Sequence, residues 1–152
     1  MQQPNDDYIK KLIQIVNTSP YPQHLQMQLV SISVDQAKVK LKTDKCHLQP
    51  FGIVHGGVLA TLIDTATFWS AFLRLPEDAG LVNIDLKLNY LKSVNTGLMT
   101  AYGRCIRAGR SINYAEASVK DNEGNILAHG TSTLMVLPGK GIRVGAKKFL
   151  DQ

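Results

Sequence analysis

Asp64 is the only charged residue between positions 58 and 73, and it needs a chemical reason for being there. The run around it is apolar on nearly every side and has no proline or glycine, which predicts a buried helix. Burying a carboxylate costs several kcal/mol unless a partner holds it or a reaction uses it. At the head of the same run stand Gly56 and Gly57. The first N–H groups of a helix lack intrahelical acceptors and attract negative charge, and a residue without Cβ lets a ligand approach them. An ester or thioester carbonyl seated there would have its tetrahedral oxyanion stabilised. Asp64 follows about two helical turns later. It can serve as nucleophile or as general base on water, and either role requires it ionised. The competing reading is a helix aspartate bonded to a neighbouring threonine.

The elements that must position these groups follow from periodicity. Residues 6–16 place Tyr8, Ile9, Leu12, Ile13 and Val16 on one helical face. The two prolines in 17–22 end that helix and predict a linker. Residues 25–34 and 37–43 read as a hairpin turned at Asp35 and Gln36. A loop over 44–54 then carries Cys46, His47, Gln49 and Pro50 into the central helix. Beyond a turn at 76–80 the period changes to two. Ile84, Leu86, Leu88 and Tyr90 alternate with Asn83, Asp85, Lys87 and Asn89, which places Asn83 on the polar face. Three more strands are expected over 98–107, 111–120 and 126–136, turned at Gly109 and Gly124. A hairpin, one long buried helix and four successive strands predict an α+β domain whose antiparallel sheet curls around the helix. The expected division is an N-terminal helix and linker over 1–23, the main domain over 24–137 and a basic, mobile tail over 138–152.

Composition narrows the partners. At 152 residues with 44% hydrophobic and 19% charged residues, the chain is neither disordered nor membrane-spanning. The polar, acidic start is unlike a signal peptide, and two distant cysteines favour no disulfide framework, so a reducing, cytoplasmic setting is expected. His24, His47 and His129 lack metal-ligand spacing, and Cys46-His47 has no second pair, so neither metal nor cofactor is expected. The net charge of +5 is spread along the chain rather than massed in a block, which speaks against nucleic acid. A smaller polyanion such as coenzyme A fits Arg104, Arg107 and Arg110, whose alternative is a set of solvated strand ends.

The run from Gln49 to Ala66, with His55-Gly56-Gly57 followed by Asp64, resembles the signature of hotdog-fold acyl-CoA thioesterases of the PaaI-like group. The strand from Val82 to Tyr90, the Gly109-Arg110 turn and Ala128-His129-Gly130 extend the likeness over roughly 25–136. The resemblance implies a hotdog fold, a homodimer with its sites at the dimer interface, pairing into a homotetramer, and hydrolysis of acyl-CoA to acid and CoA. By carry-over, Gly57 donates the oxyanion N–H and His55 orients its loop. Gln49 stands where relatives carry Asn or Gln to position water or the carbonyl, and Asn83 where they carry Ser or Thr. Gln with Asp mixes two familiar combinations, Asn with Asp and Gln with Glu. Phe68, one turn from Asp64, is expected as a wall of the acyl pocket. Two other readings stand beside this one: a module that binds acyl-CoA without cleaving it, and an acyl-chain hydratase or dehydratase, whose His-Phe-Pro pattern this chain lacks.

Overall fold

The computed structural model describes residues 2–150. They run α1 (Asp6–Asn17), α2 (Pro20–Leu25), β1 (Met27–Ser33), β2 (Gln36–Lys42), α3 (Gly56–Phe72), β3 (Gly80–Tyr90), β4 (Leu98–Ala108), β5 (Ile112–Lys120) and β6 (Ile126–Leu137). The six strands form one antiparallel sheet in the order β1-β2-β4-β5-β6-β3, which leaves β1 and β3 as edges. Alternation decides which face meets α3. In β2, for example, Ala37, Val39 and Leu41 are buried while Lys38 and Lys40 turn away. The sheet wraps α3, whose Leu62, Ile63 and Ala66 are wholly buried. Strand and helix touch most closely at Gly103, where a Cβ would come within 2.1 Å of the Ala66 carbonyl oxygen. Only glycine fits there.

Local chemistry moves several boundaries away from those expected. His55, in extended conformation, caps α3 by accepting the Gly57 N–H on Nδ1, so the helix starts at Gly56 rather than Val58. The expected linker over 17–22 instead leads into α2. Pro20 sits in its first turn, where a missing N–H costs nothing. The helix stops at Gln26, which has φ of 56°.

The strict alternation expected of β3 is broken by a bulge. Asn83 pairs with Leu134 and Asp85 with Thr133, leaving Ile84 as an extra residue. The bulge reverses the parity of the strand. Leu81 and Asn83 before it, and Leu86 and Leu88 after it, face α3, while Ile84 is 55% exposed. Asn83 therefore leaves the polar face on which simple alternation placed it.

The C-terminal segment, expected to be mobile, packs back on the domain. Phe149 bridges to Pro4, the Leu150 N–H donates to the Gln3 carbonyl, and the Asn5 N–H donates to the Lys148 carbonyl. The Lys148 side chain is wholly buried. Its Nζ donates to the carbonyls of Phe72 at 2.8 Å and Leu75 at 2.9 Å, at the C-terminal end of α3. The Phe72 carbonyl also accepts the Leu75 N–H, and a cation there meets the negative end of the helix dipole.

Candidate active site

The bulge in β3 has a chemical result. It aims the Asn83 amide at α3, where Nδ2 donates to Asp64 Oδ1 at 2.7 Å. The second proton of the same nitrogen reaches Ser132 Oγ on β6 at 3.0 Å, and the Ser132 hydroxyl donates on to the Asp85 carbonyl at 3.0 Å. The same nitrogen also reaches the Asp64 backbone carbonyl at 3.5 Å, and together these contacts fix the orientation of the amide. Burial raises the pKa of Asp64 above the ordinary carboxylate value, and the hydrogen bond from Asn83 opposes that rise by favouring the ionised form. Ser132 was not singled out in the sequence. Its signal is its inward parity on β6, opposite Leu86.

Asp64 borders a cavity of about 270 Å³ on the open side of α3. Phe68 and Trp69, one turn further along the helix, line it with Asp64. The lining is otherwise apolar apart from a few hydroxyls.

A second concavity, of about 420 Å³, lies at the start of α3 and brings together Gln49, Gly56, Leu59 and Tyr90. Gln49 Oε1 accepts the Phe51 N–H, which leaves its amide N–H₂ as the group it can offer. The Gly57 N–H is occupied: it donates to His55 Nδ1 at 2.8 Å. This requires Nδ1 unprotonated and makes His55 an orienting cap. Among the described residues, the Gly56 N–H has no acceptor. The donor available to an oxyanion is thus Gly56, one residue before the one expected. A Cβ on Gly56 would lie 2.9 Å from the Tyr90 ring and hydroxyl, so the helix start and β3 meet closely here.

Gly56 and Asp64 are eight residues apart on one helix, about 12 Å along its axis. They open onto different concavities of the chain. The arginines belong to neither. Arg104 is bonded to Glu116, which also meets His129, and lines a depression of about 400 Å³ on the sheet face turned away from α3. Arg107 and Arg110 lie at the β4–β5 turn beside another outer depression. His47 is buried, with Nδ1 accepting the Asp44 N–H and Nε2 against the Leu25 carbonyl, a structural role. Among the described residues no three His, Cys, Asp or Glu side chains come together to hold a metal. No described helix is long and apolar enough to cross a membrane.

Comparison with known proteins identifies the family. The family described as the thioesterase superfamily matches residues 51–128. A 1,4-dihydroxy-2-naphthoyl-CoA hydrolase of Listeria monocytogenes is 32% identical over 111 residues, covering 72% of this chain and 89% of that protein. The crystal structure of a thioesterase from Haemophilus influenzae superposes with a TM-score of 0.81 at 26% identity, over 91% of this chain and 96% of that one. A thioesterase family protein from Silicibacter pomeroyi shares the fold, with a TM-score of 0.79 at 24% identity over 87% and 99% of the two chains.

Proposed function

We propose that this chain, which belongs to the thioesterase superfamily, hydrolyses acyl-CoA thioesters to the free acid and CoA, with Asp64 as the reacting carboxylate. The observation that carries the proposal is the Asp64–Asn83 hydrogen bond at the edge of an apolar cavity. A hydrogen bond that favours the ionised carboxylate stands beside a space lined by apolar groups, although burial works against the charge and raises the pKa. The thioester carbonyl oxygen takes the Gly56 N–H, with the Gln49 amide holding the carbonyl or the attacking water. Asp64 then either adds to the carbonyl carbon, giving an anhydride that water opens, or takes a proton from water as it adds. Both routes expel the CoA thiolate, which leaves as the thiol, and both release the acid.

The two concavities are half-sites that join in a dimer. β3 is an edge strand of eleven residues with Val82 and Ile84 exposed, suited to pairing with the same strand of a second copy. Two-fold pairing there would bring Asp64 of one protomer toward Gly56 and Gln49 of its partner. Ile106, Ile112, Tyr114 and Met135, exposed on the outer face of the sheet, offer an apolar surface for joining two such dimers into a tetramer.

Free-thiol release from a panel of aromatic and short- to long-chain acyl-CoAs tests the reading, with the wild type and Asp64→Ala side by side. Release that collapses in the variant supports it. No release above background from any wild-type reaction overturns it and favours a module that binds acyl-CoA without cleaving it.

A further inference from the structure

The cavity beside Asp64 is bordered in part by segments of the chain outside residues 51–128, the range that matches the family. Its outer walls come from α1, α2 and the C-terminal segment. We propose that Ile142 is a specificity-determining residue that forms the floor of the acyl pocket and limits the acyl group to about ten carbon atoms, whether a chain or two fused rings. The proposal rests on the thioesterase reading of Asp64.

Positions along α3 give the pocket its direction. Near its N-terminal end, Tyr21 of α2 reaches across to α3, its hydroxyl 2.9 Å from Thr61 Oγ1. Asp64 lies one turn on, and Phe68 and Trp69 one turn beyond that. Ile142 belongs to the far end, because the neighbouring Gly141 N–H donates at 2.8 Å to the Asp78 carbonyl in the loop that follows α3. A substrate with its carbonyl at Asp64 therefore runs its acyl group past Phe68 and Trp69 toward Ile142. Ile15 of α1 lines the same space.

A floor can measure length only if it does not move, and this one is fastened on both sides. Besides the Gly141 bond, the Lys148 N–H donates to Glu77 Oε1 at 3.0 Å and its Nζ caps α3. The volume then sets the limit. A dry cavity of about 150 Å³ accepts benzene, with six carbons, so about 270 Å³ accommodates about ten or eleven. The apolar lining favours a hydrocarbon over a group with a terminal charge.

Two readouts on the full-length protein test this. One is kcat/KM for thiol release from CoA thioesters of two to sixteen carbons. The other is the fluorescence of Trp69, the only tryptophan in the chain and part of the cavity wall, titrated with the same thioesters. The wild type should show a limit near ten carbons in both. Ile142→Ala should raise kcat/KM for the fourteen-carbon thioester relative to the eight-carbon one by about tenfold or more, and Ile142→Phe should lower the ten-carbon value relative to the four-carbon one similarly. A length profile that stays put in both folded variants overturns the assignment. Absence of thiol release from the wild type defeats hydrolysis alone. In that case a fluorescence limit near ten carbons that shifts with both variants still supports the floor, and one that does not shift overturns it.

Discussion

At the N-terminal end of α3 the Gly56 N–H has no acceptor among the described residues and faces a concavity shared with Gln49, whereas at the C-terminal end the Phe72 and Leu75 carbonyls are filled by the buried Lys148 ammonium. The two ends carry partial charges of opposite sign. The protein supplies its own ion to the negative end and leaves the positive end for a ligand. His55 caps the N-terminal end through the Gly57 N–H and leaves Gly56 open, while the sealed end fixes the helix that carries Asp64.

Four variants break or sharpen that contrast. The largest effect belongs to Asp64→Asn, which should lower kcat by 10²–10⁴-fold in the thiol-release assay. Its stability should move the other way. The folded pKa of Asp64 is raised above its unfolded value. Its stabilising contribution is therefore full below the unfolded pKa and is lost as pH rises through the folded one. At neutral pH the carboxylate weighs against the fold, so thermal unfolding of Asp64→Asn should occur at the wild-type temperature or above. A large drop in that temperature would make Asp64 structural.

Lys148→Met comes next, at the sealed end. It removes the donor to two buried carbonyls and should cost about 2 kcal/mol in urea unfolding. Burial lowers the Lys148 pKa from 10.5 to about 8. Between those values the unfolded chain binds more protons than the folded one, so wild-type stability should rise with pH from about 8 to 10.5. The same rise in Lys148→Met would show that another group is responsible.

Asn83→Ala removes the hydrogen bond that favours ionised Asp64. The acid limb of the kcat/KM profile should move to higher pH, with about a tenfold loss on that limb. An unshifted limb would separate Asn83 from Asp64. The smallest effect is expected for His55→Ala, which removes the cap on Gly57 and should cost about 1 kcal/mol of stability. If His55 were instead the proton-transfer group, turnover would fall at least a hundredfold.

The helix that carries Asp64 was legible in the sequence because its apolar run is unbroken, and the wrapped sheet because period two recurs so regularly after position 80. The misplacement of Asn83 has a specific cause. Ile84 continues the apolar alternation by residue type, so nothing in the pattern marks it as the extra residue of a bulge. Gly57 gave way to Gly56 because the spacing of two glycines does not reveal which N–H the preceding histidine will occupy. A glycine-rich basic tail looks mobile until one of its lysines has a place to go, and the two carbonyls at the end of α3 exist only once the helix has formed. The arginines, close in sequence, lie away from the cavity because Arg104 and Arg107 are on the exposed side of β4 and Arg110 is in the turn that follows it. The separation of the two concavities depends on a helix rise of about 12 Å, visible only once the walls around each end are known.

The sealing of Lys148 bears on self-modification. An amine whose proton is loosened to a pKa of about 8 is neutral more often than an ordinary lysine at the same pH, and a neutral amine is a nucleophile that acyl thioesters can acylate. On the proposed function, the protein works among such donors. With no exposed surface and its nitrogen turned into the helix end, Lys148 keeps its reactivity out of their reach, so it should stay unmodified while exposed lysines such as Lys42 and Lys45 collect whatever acyl groups stray.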